Sequence, residues 1–130
     1  MTRDGVIVDT SIPIDFLKDK MPHAAAITTL INSKLIRTTG IIMAELLQGA
    51  RVAAEEAYVI ELLEGIPAIE VNSTLWMKAG RLSCSLRRKG ITLPLSDIVI
   101  AVIAIEHSLS LFTLDGHFEQ IPGVKLHKSA

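Results

Sequence analysis

Cysteine and aromatic residues are scarce in this chain of 130 residues. The single cysteine, Cys84, excludes an internal disulfide and a zinc site built from several cysteines, and it is typical of a reducing cytosol. Aromatic residues make up 4% of the chain while hydrophobic residues reach 49%, so the core must be built from Ile, Leu, Val and Ala. The same hydrophobic content excludes a disordered chain.

Long apolar runs and an excess of one charge are also absent. The longest apolar run, residues 98–105, is too short to span a bilayer, and no signal peptide is visible near the start. Thirteen Lys and Arg residues against fourteen Asp and Glu residues give a net charge of -1, so any polyanionic partner would need a local basic patch or bound cations. These absences predict a soluble, cytoplasmic protein with no membrane association, folded as one domain over residues 1–130.

Strand and helix patterns alternate along the chain. Short apolar or β-branched runs predict strands at residues 6–8, 35–39, 66–71, 109–113 and 124–127. Helical spacing predicts two helices between residues 11 and 33 and further ones at about 40–50, 51–64, 74–89 and 97–107, with Ser73 and Ser96 capping the last two. This alternation predicts an α/β fold with a mainly parallel sheet covered on both faces. Ligands of such sheets bind beyond the carboxyl ends of the strands.

Four carboxylates lie at positions where this rule predicts a ligand site. Asp9 closes the first strand and Asp115 follows a late one, while Asp97 opens a helix. Glu45 lies one turn into the helix after the second strand. If all four share one crevice, their mutual repulsion requires protonation or a bound cation. Oxygen ligands without cysteine or paired histidine favour Mg2+ or Mn2+, which suit phosphodiester hydrolysis.

Three of the four carboxylates also have a structural interpretation. An acid such as Asp97 is favourable in the first turn of a helix, and Asp115 with the glycine after it is a common turn dipeptide. Glu45 would also suit a helix surface. Asp9 is the strongest single candidate, because a carboxylate that ends a buried strand needs a partner. The prediction of a site therefore depends on the set of four.

The acids belong to motifs that resemble those of PIN domains, and more narrowly those of VapC-type toxins from prokaryotic toxin–antitoxin pairs. The motifs are VIVDTS (residues 6–11), MAELLQG (43–49), LPLSDIVIA (93–101) and TLDGHF (113–118), and their order and spacing hold over essentially the whole chain. The resemblance implies a three-layer α/β/α sandwich and a Mg2+- or Mn2+-dependent endoribonuclease. It also implies a homodimer, inhibition by a cognate antitoxin, and transfer or ribosomal RNA as the substrate.

The resemblance also implies roles for individual residues. The metal-site acids carried over by motif are Asp9, Glu45, Asp97 and Asp115. Thr10 or Ser11, together with Thr113, match positions where hydroxyl groups hold metal-bound waters or carboxylates. Where many relatives place a further acid before the phenylalanine, this chain has His117. A neutral imidazole is able to bind metal or phosphate, but a solvated turn position is the favoured interpretation.

A basic group lies near the end of the helix predicted at 74–89. Its members are Arg81, Arg87, Arg88 and Lys89. Cations at a helix carboxyl end complement the helix dipole, and alternatively they would bind RNA phosphates beside the acidic crevice. Trp76 is expected in the core or in a dimer interface, with stacking on an RNA base as an alternative. Cys84 is expected to be buried.

Two other functions share parts of this pattern. One is a nuclease that acts on DNA or in RNA maturation, and the other is a PIN-like module that binds without cleaving. Occupation of all four acid positions argues against the second, because an inert domain has no need of mutually repelling carboxylates. A receiver domain fits poorly, because Thr10 rather than a second acid follows Asp9 and the late strand has Thr113 in place of a lysine.

Overall fold

The computed structural model describes residues 5–9 and 34–127, which form a parallel five-stranded sheet, four α-helices and one 3-10 helix. The strands are β1 (Val6–Val8), β2 (Ile36–Thr39), β3 (Ala68–Ile69), β4 (Ser110–Phe112) and β5 (Lys125–Leu126). The helices are α1 (Gly40–Gln48), α2 (Ala53–Glu64), α3 (Ser73–Arg88) and α4 (Leu95–Glu106), and the 3-10 helix is Gly116–Gln120. The two helices predicted between residues 11 and 33 lie outside the described residues.

The sheet has the strand order β3-β2-β1-β4-β5, and every neighbouring pair is parallel. Ile7 in the central strand pairs with Arg37 of β2 and Leu111 of β4. Because all strands point the same way, the residues that follow β1 and β4 meet at one edge of the sheet. The predicted α/β fold with a parallel sheet is confirmed.

Helices cover both faces of this sheet. On one face α3 and α4 pack together over Ile7 and Leu111, both of which are fully buried. On the other face Leu63 of α2 lines a common cavity with Val8 and Ile36. The apolar run noted in the sequence is therefore the core of α4, whose residues 98–104 are all buried. Within the described ranges, no helix combines the length and apolar character needed to cross a membrane.

The helices α3 and α4 run antiparallel. Lys78, near the start of α3, forms an ion pair of 2.7 Å with Glu106, the last residue of α4. Gly90 reverses the chain after α3 with a φ of 83°, a conformation that glycine adopts without steric cost. The carboxyl end of α3 therefore lies beside the amino end of α4.

Two of the predicted helix caps are wrong by one or two positions. The side chain of Asn72, not Ser73, accepts the hydrogen bond from the Leu75 amide at 3.0 Å. Ser96 lies inside α4, which begins at Leu95 directly after Pro94. Proline has no N–H to lose and a fixed φ that suits a helix start, so the helix begins earlier than the Ser-Asp pair indicates.

Candidate metal centre

Asp9 lies at the carboxyl end of the central strand. Asp9 is only 3% exposed. Its backbone N–H donates to the carbonyl of Phe112 at 2.9 Å, and this hydrogen bond extends the pairing of β1 with β4. Its carboxylate oxygen Oδ2 accepts a hydrogen bond of 2.8 Å from the hydroxyl of Thr113. The buried carboxylate therefore has a polar partner supplied by the adjacent strand.

Asp115 lies two residues beyond that threonine and caps the 3-10 helix. Its carboxylate Oδ1 accepts from the backbone N–H of His117 at 2.9 Å, while its own N–H donates to Thr113 Oγ1 at 2.9 Å. Thr113 thus contacts Asp9 through its hydroxyl proton and Asp115 through its oxygen. The two acids are linked by one side chain.

Asp97 approaches the same place from the first turn of α4, and its side chain is 14% exposed. The ring atom Nδ1 of His117 lies 3.2 Å from Asp97 Oδ2 and 3.1 Å from Asp115 Oδ2. Each of the three residues offers one ligand atom, and these atoms all lie within 4.8 Å of one another. The interpretation of His117 as a merely solvated residue is therefore wrong, although its side chain is 46% exposed.

The pKa of Asp97 reflects its burial and the acids close to it. Partial burial raises the pKa of its carboxyl group, and the negative charges of Asp9 and Asp115 raise it further. The hydrogen bond with His117 acts in the opposite direction. A divalent cation would relieve the same repulsion, and carboxylate oxygens are suitable ligands for Mg2+ or Mn2+. The residues present therefore fit such an ion.

Glu45 lies on α1, which begins at the carboxyl end of β2 and contacts α4. Its residue is partly buried. It is not a member of the group of close ligand atoms formed by Asp97, Asp115 and His117, and neither is Asp9, whose charge nevertheless acts on Asp97. Thr10 and Ser11 lie outside the described residues. The structure thus brings together Asp9, Asp97 and Asp115 with Thr113, and places Glu45 on a neighbouring helix.

The predicted basic group lies on the outer side of α3. Arg81 and Arg88 line a groove of about 500 Å³ together with Lys78, and Arg87 lines an adjoining groove. Lys89 is the exposed residue that ends the helix. Cys84 is exposed in the same grooves, so its predicted burial is wrong. It shares a helix face with Arg81 and Arg88, three positions before it and four after it.

The antiparallel packing of α3 and α4 relates this basic group to the acids. Lys78 pairs with Glu106, and counting nine residues forward on α3 and nine back on α4 leads to Arg87 and Asp97. Because both helices rise equally per residue, Arg87 and Arg88 lie at the level of Asp97 along the helix pair. The basic end of α3 and the acidic centre are therefore at the same end of the molecule.

Trp76 is not a core residue, since it is 48% exposed at the start of α3, and the next residue, Met77, is 68% exposed. Trp76 lines a groove of about 470 Å³ with Ala44 of α1 and Ile69 of the edge strand β3. The structure thus excludes the core interpretation of Trp76 and leaves the interface and base-stacking interpretations.

This chain is similar to one known protein family and to several solved structures. The sequence model of the PIN domain family matches residues 6–124. A chain of the DNA-bound VapBC structure from Salmonella typhimurium superposes with a TM-score of 0.77 at 23% identity, covering 96% of this chain and 98% of that one. A chain of VapBC2 from Rickettsia felis, bound to a promoter DNA fragment, gives a TM-score of 0.79 at 21% identity, with coverage of 96% and 98%.

A third similar structure is that of VapC20 from Mycobacterium tuberculosis, described as a sarcin-ricin loop cleaving toxin. It has a TM-score of 0.68 at 13% identity, and the match covers 95% of this chain and 100% of that one. At these identities the similarity establishes a common fold. The search of curated proteins gives no match.

Proposed function

The chain belongs to the PIN domain family, and we propose that it is a Mg2+- or Mn2+-dependent endoribonuclease of the VapC toxin type. The observation that supports this most directly is the convergence of three acids, Asp9, Asp97 and Asp115, at the carboxyl edge of the parallel sheet. The fold shared with chains of VapBC structures supports the toxin type.

A divalent cation bound there would supply positive charge to a phosphate and make a water molecule more acidic. The Oδ2 atoms of Asp97 and Asp115 are the protein oxygens that would hold it, since both lie beside the same atom of His117. Asp9, buried and fixed by Thr113, would add a third negative charge. Glu45 is proposed as the fourth acid from its motif and its place on α1.

The reaction we propose is hydrolysis of an RNA phosphodiester by in-line attack of water, with no covalent enzyme intermediate. The acids would hold the cation and orient the attacking water. The P–O bond to the leaving oxygen breaks as the bond from the water oxygen to phosphorus forms, the water gives up one proton to solvent, and the leaving oxygen takes up one proton as a hydroxyl group. Of the supporting hydroxyl groups, Thr113 acts by fixing Asp9. Thr10 and Ser11 are proposed from their motif to hold water or carboxylate.

The basic end of α3 is proposed to bind RNA. Arg87 and Arg88 lie at the level of Asp97. An RNA strand whose phosphates bind these arginines would therefore extend toward the acidic centre. Arg81 and Lys89 extend the same surface. Transfer or ribosomal RNA is the proposed substrate class, and the described activity of VapC20 on the sarcin-ricin loop supports an RNA target.

We further propose a cognate antitoxin and a homodimer as the protein partners. Chains of VapBC complexes share this fold, which supports the antitoxin. The exposed Trp76 and the groove beside it supply an apolar surface for a second copy. RNA as the substrate places the proposed activity in the cytoplasm.

The test of the nuclease is cleavage of cellular RNA by the purified protein with and without a divalent cation, with the Asp97→Asn variant as the inactive comparison. The test of the toxin is growth arrest on expression, relieved by co-expression of the protein encoded next to it. Growth arrest that persists in Asp97→Asn would contradict a nuclease-based toxin.

A further inference from the structure

We propose that the Nδ1 atom of His117 is a direct ligand of the cation and that it makes the site prefer first-row transition ions, represented by Mn2+, over Mg2+. This inference rests on the proposed cation site and adds to it a nitrogen ligand that the sequence did not lead us to expect.

The distances around His117 suit a shared ion. Nδ1 lies 3.2 Å from Oδ2 of Asp97 and 3.1 Å from Oδ2 of Asp115. An octahedral ion with bonds of about 2.1 Å places its neighbouring ligand atoms about 3 Å apart. Nδ1 is therefore already spaced from each of the two carboxylate oxygens as an adjacent ligand of one ion.

The position of His117 is fixed by the surrounding backbone. Its N–H donates to Oδ1 of Asp115 at 2.9 Å, so Oδ1 holds the turn while Oδ2 of the same carboxylate faces the imidazole. The next residue, Phe118, is completely buried and anchors the 3-10 helix to the core. Ligands held in place before an ion arrives lose little conformational entropy on binding.

The preference for Mn2+ follows from ligand chemistry. Mg2+ binds oxygen ligands and depends on their negative charge, whereas imidazole nitrogen favours first-row transition ions. His117 supplies a neutral nitrogen atom in place of a further oxygen ligand, and this nitrogen favours Mn2+ over Mg2+. If the imidazole instead only formed hydrogen bonds with Asp97 and Asp115, it would compete with any cation, and its removal would strengthen the binding of both ions.

The experiment compares wild type with His117→Gln and His117→Asp, and uses His107→Gln as the matched control. His107 is exposed at the carboxyl end of α4, a helix length away from Asp97. Pulsed electron paramagnetic resonance of the Mn2+-loaded protein detects nitrogen coupled directly to the ion. Calorimetric titration gives the affinities for Mn2+ and Mg2+, and circular dichroism checks that each variant is folded.

We expect nitrogen coupling in wild type and His107→Gln and none in either His117 variant. The Mn2+ affinity of His117→Gln should fall about 10-fold or more, within the range for loss of a group that supports metal binding, while its Mg2+ affinity changes little. His117→Asp should bring the two affinities closer together. Absence of nitrogen coupling in wild type, or a ratio of Mn2+ to Mg2+ affinity that is the same in His117→Gln as in wild type, overturns the proposal without reference to any variant's activity.

RNA cleavage by wild type, run in parallel with each ion, separates this inference from the proposed function. Cleavage without nitrogen coupling contradicts the histidine ligand and supports the nuclease. Nitrogen coupling with no cleavage of any RNA supports the ligand and contradicts the nuclease.

Discussion

The hydroxyl group of Thr113 donates a hydrogen bond of 2.8 Å to Oδ2 of Asp9, across the ends of the adjacent strands β4 and β1. The same hydroxyl oxygen accepts the N–H of Asp115 at 2.9 Å. One side chain thus contacts a buried acid directly and sets the backbone position of a second one. Thr113 is a positioning residue for the acidic centre.

Thr113→Val should lower both the affinity for Mn2+ and the rate of RNA cleavage by about 10- to 100-fold, as expected for a group that orients a metal ligand. Valine keeps the shape of threonine but leaves Asp9 without this donor, at a cost of about 1–3 kcal/mol in unfolding free energy. Thr113→Ser retains the hydroxyl and should stay close to wild type. Calorimetric titration and urea unfolding measure both effects, and a valine variant equal to wild type in cation affinity would refute the role.

Asp97→Asn should stabilise the protein in the presence of a chelator. Burial and the charges of Asp9 and Asp115 raise the pKa of Asp97 in the folded state, so between its unfolded and folded pKa values the folded protein binds more protons. The stability of wild type therefore falls as pH rises through that interval, and the variant lacks this loss. The advantage of Asp97→Asn should grow from about pH 4 to about pH 7.

Urea unfolding at both pH values checks this expectation. A cation at about 100 times its dissociation constant should then stabilise wild type by about 2.7 kcal/mol and have much less effect on the variant. If the metal-free variant is less stable than wild type at neutral pH, the ionised carboxylate of Asp97 does not destabilise the folded protein, and the expectation is contradicted.

Arg87→Gln combined with Arg88→Gln should weaken RNA binding and reduce its dependence on salt. Loss of two phosphate contacts to single-stranded RNA lowers the slope of log affinity against log salt by about 1.4. Binding is measured in the Asp97→Asn background so that the RNA is not cleaved. The control pair is Lys34→Gln with Lys125→Gln, two exposed cations that lie in the turn before β2 and in β5. Equal effects of the two pairs would argue for a general charge effect and against a specific RNA surface.

The groove beside Trp76 should form the interface of the proposed homodimer. Trp76→Lys, or Ala44→Arg on α1, which also lines the groove, should convert the protein to a monomer, because each buries a charge in an apolar contact. Val52→Lys, at a residue 59% exposed at the start of α2, is the control. Light scattering after gel filtration reports the mass, and a wild type that is monomeric at micromolar concentration would contradict the interface.

The fold could be predicted largely because its apolar runs are distinctive. The runs at β1 and α4 match the observed elements within a few residues, and the family match confirms the resemblance to PIN domains. The edge strand β3 was predicted at residues 66–71 but consists only of Ala68–Ile69, since an edge strand has a single neighbour to pair with. The cap of α3 was missed because Asn72 and Ser73 are both good caps and differ by one position.

Less of the site than of the fold could be predicted from the sequence. Asp9, Asp97 and Asp115 could be chosen from their places at strand and helix ends, but Asp97 and Asp115 also fitted structural roles. His117 was missed because isolated histidines in turns have no ligand spacing, and its direction depends on the 3-10 helix that Asp115 caps. Its position two residues after Asp115, in the same motif, was the available signal. Cys84 was misplaced because the apolar residues beside it obscured the helix face it shares with the arginines.

The measurement that tests the central proposal most directly is cleavage of total cellular RNA by the purified wild-type protein and by Asp97→Asn. Each is incubated with Mg2+, with Mn2+ and with chelator, and Glu119→Gln, an exposed acid in the 3-10 helix, serves as the charge-matched control. We expect discrete fragments from wild type and Glu119→Gln only when a cation is present, and none from a folded Asp97→Asn. Intact RNA under both ions would contradict the nuclease and favour a PIN domain that binds without cleaving, and full cleavage by Asp97→Asn would contradict the assigned site.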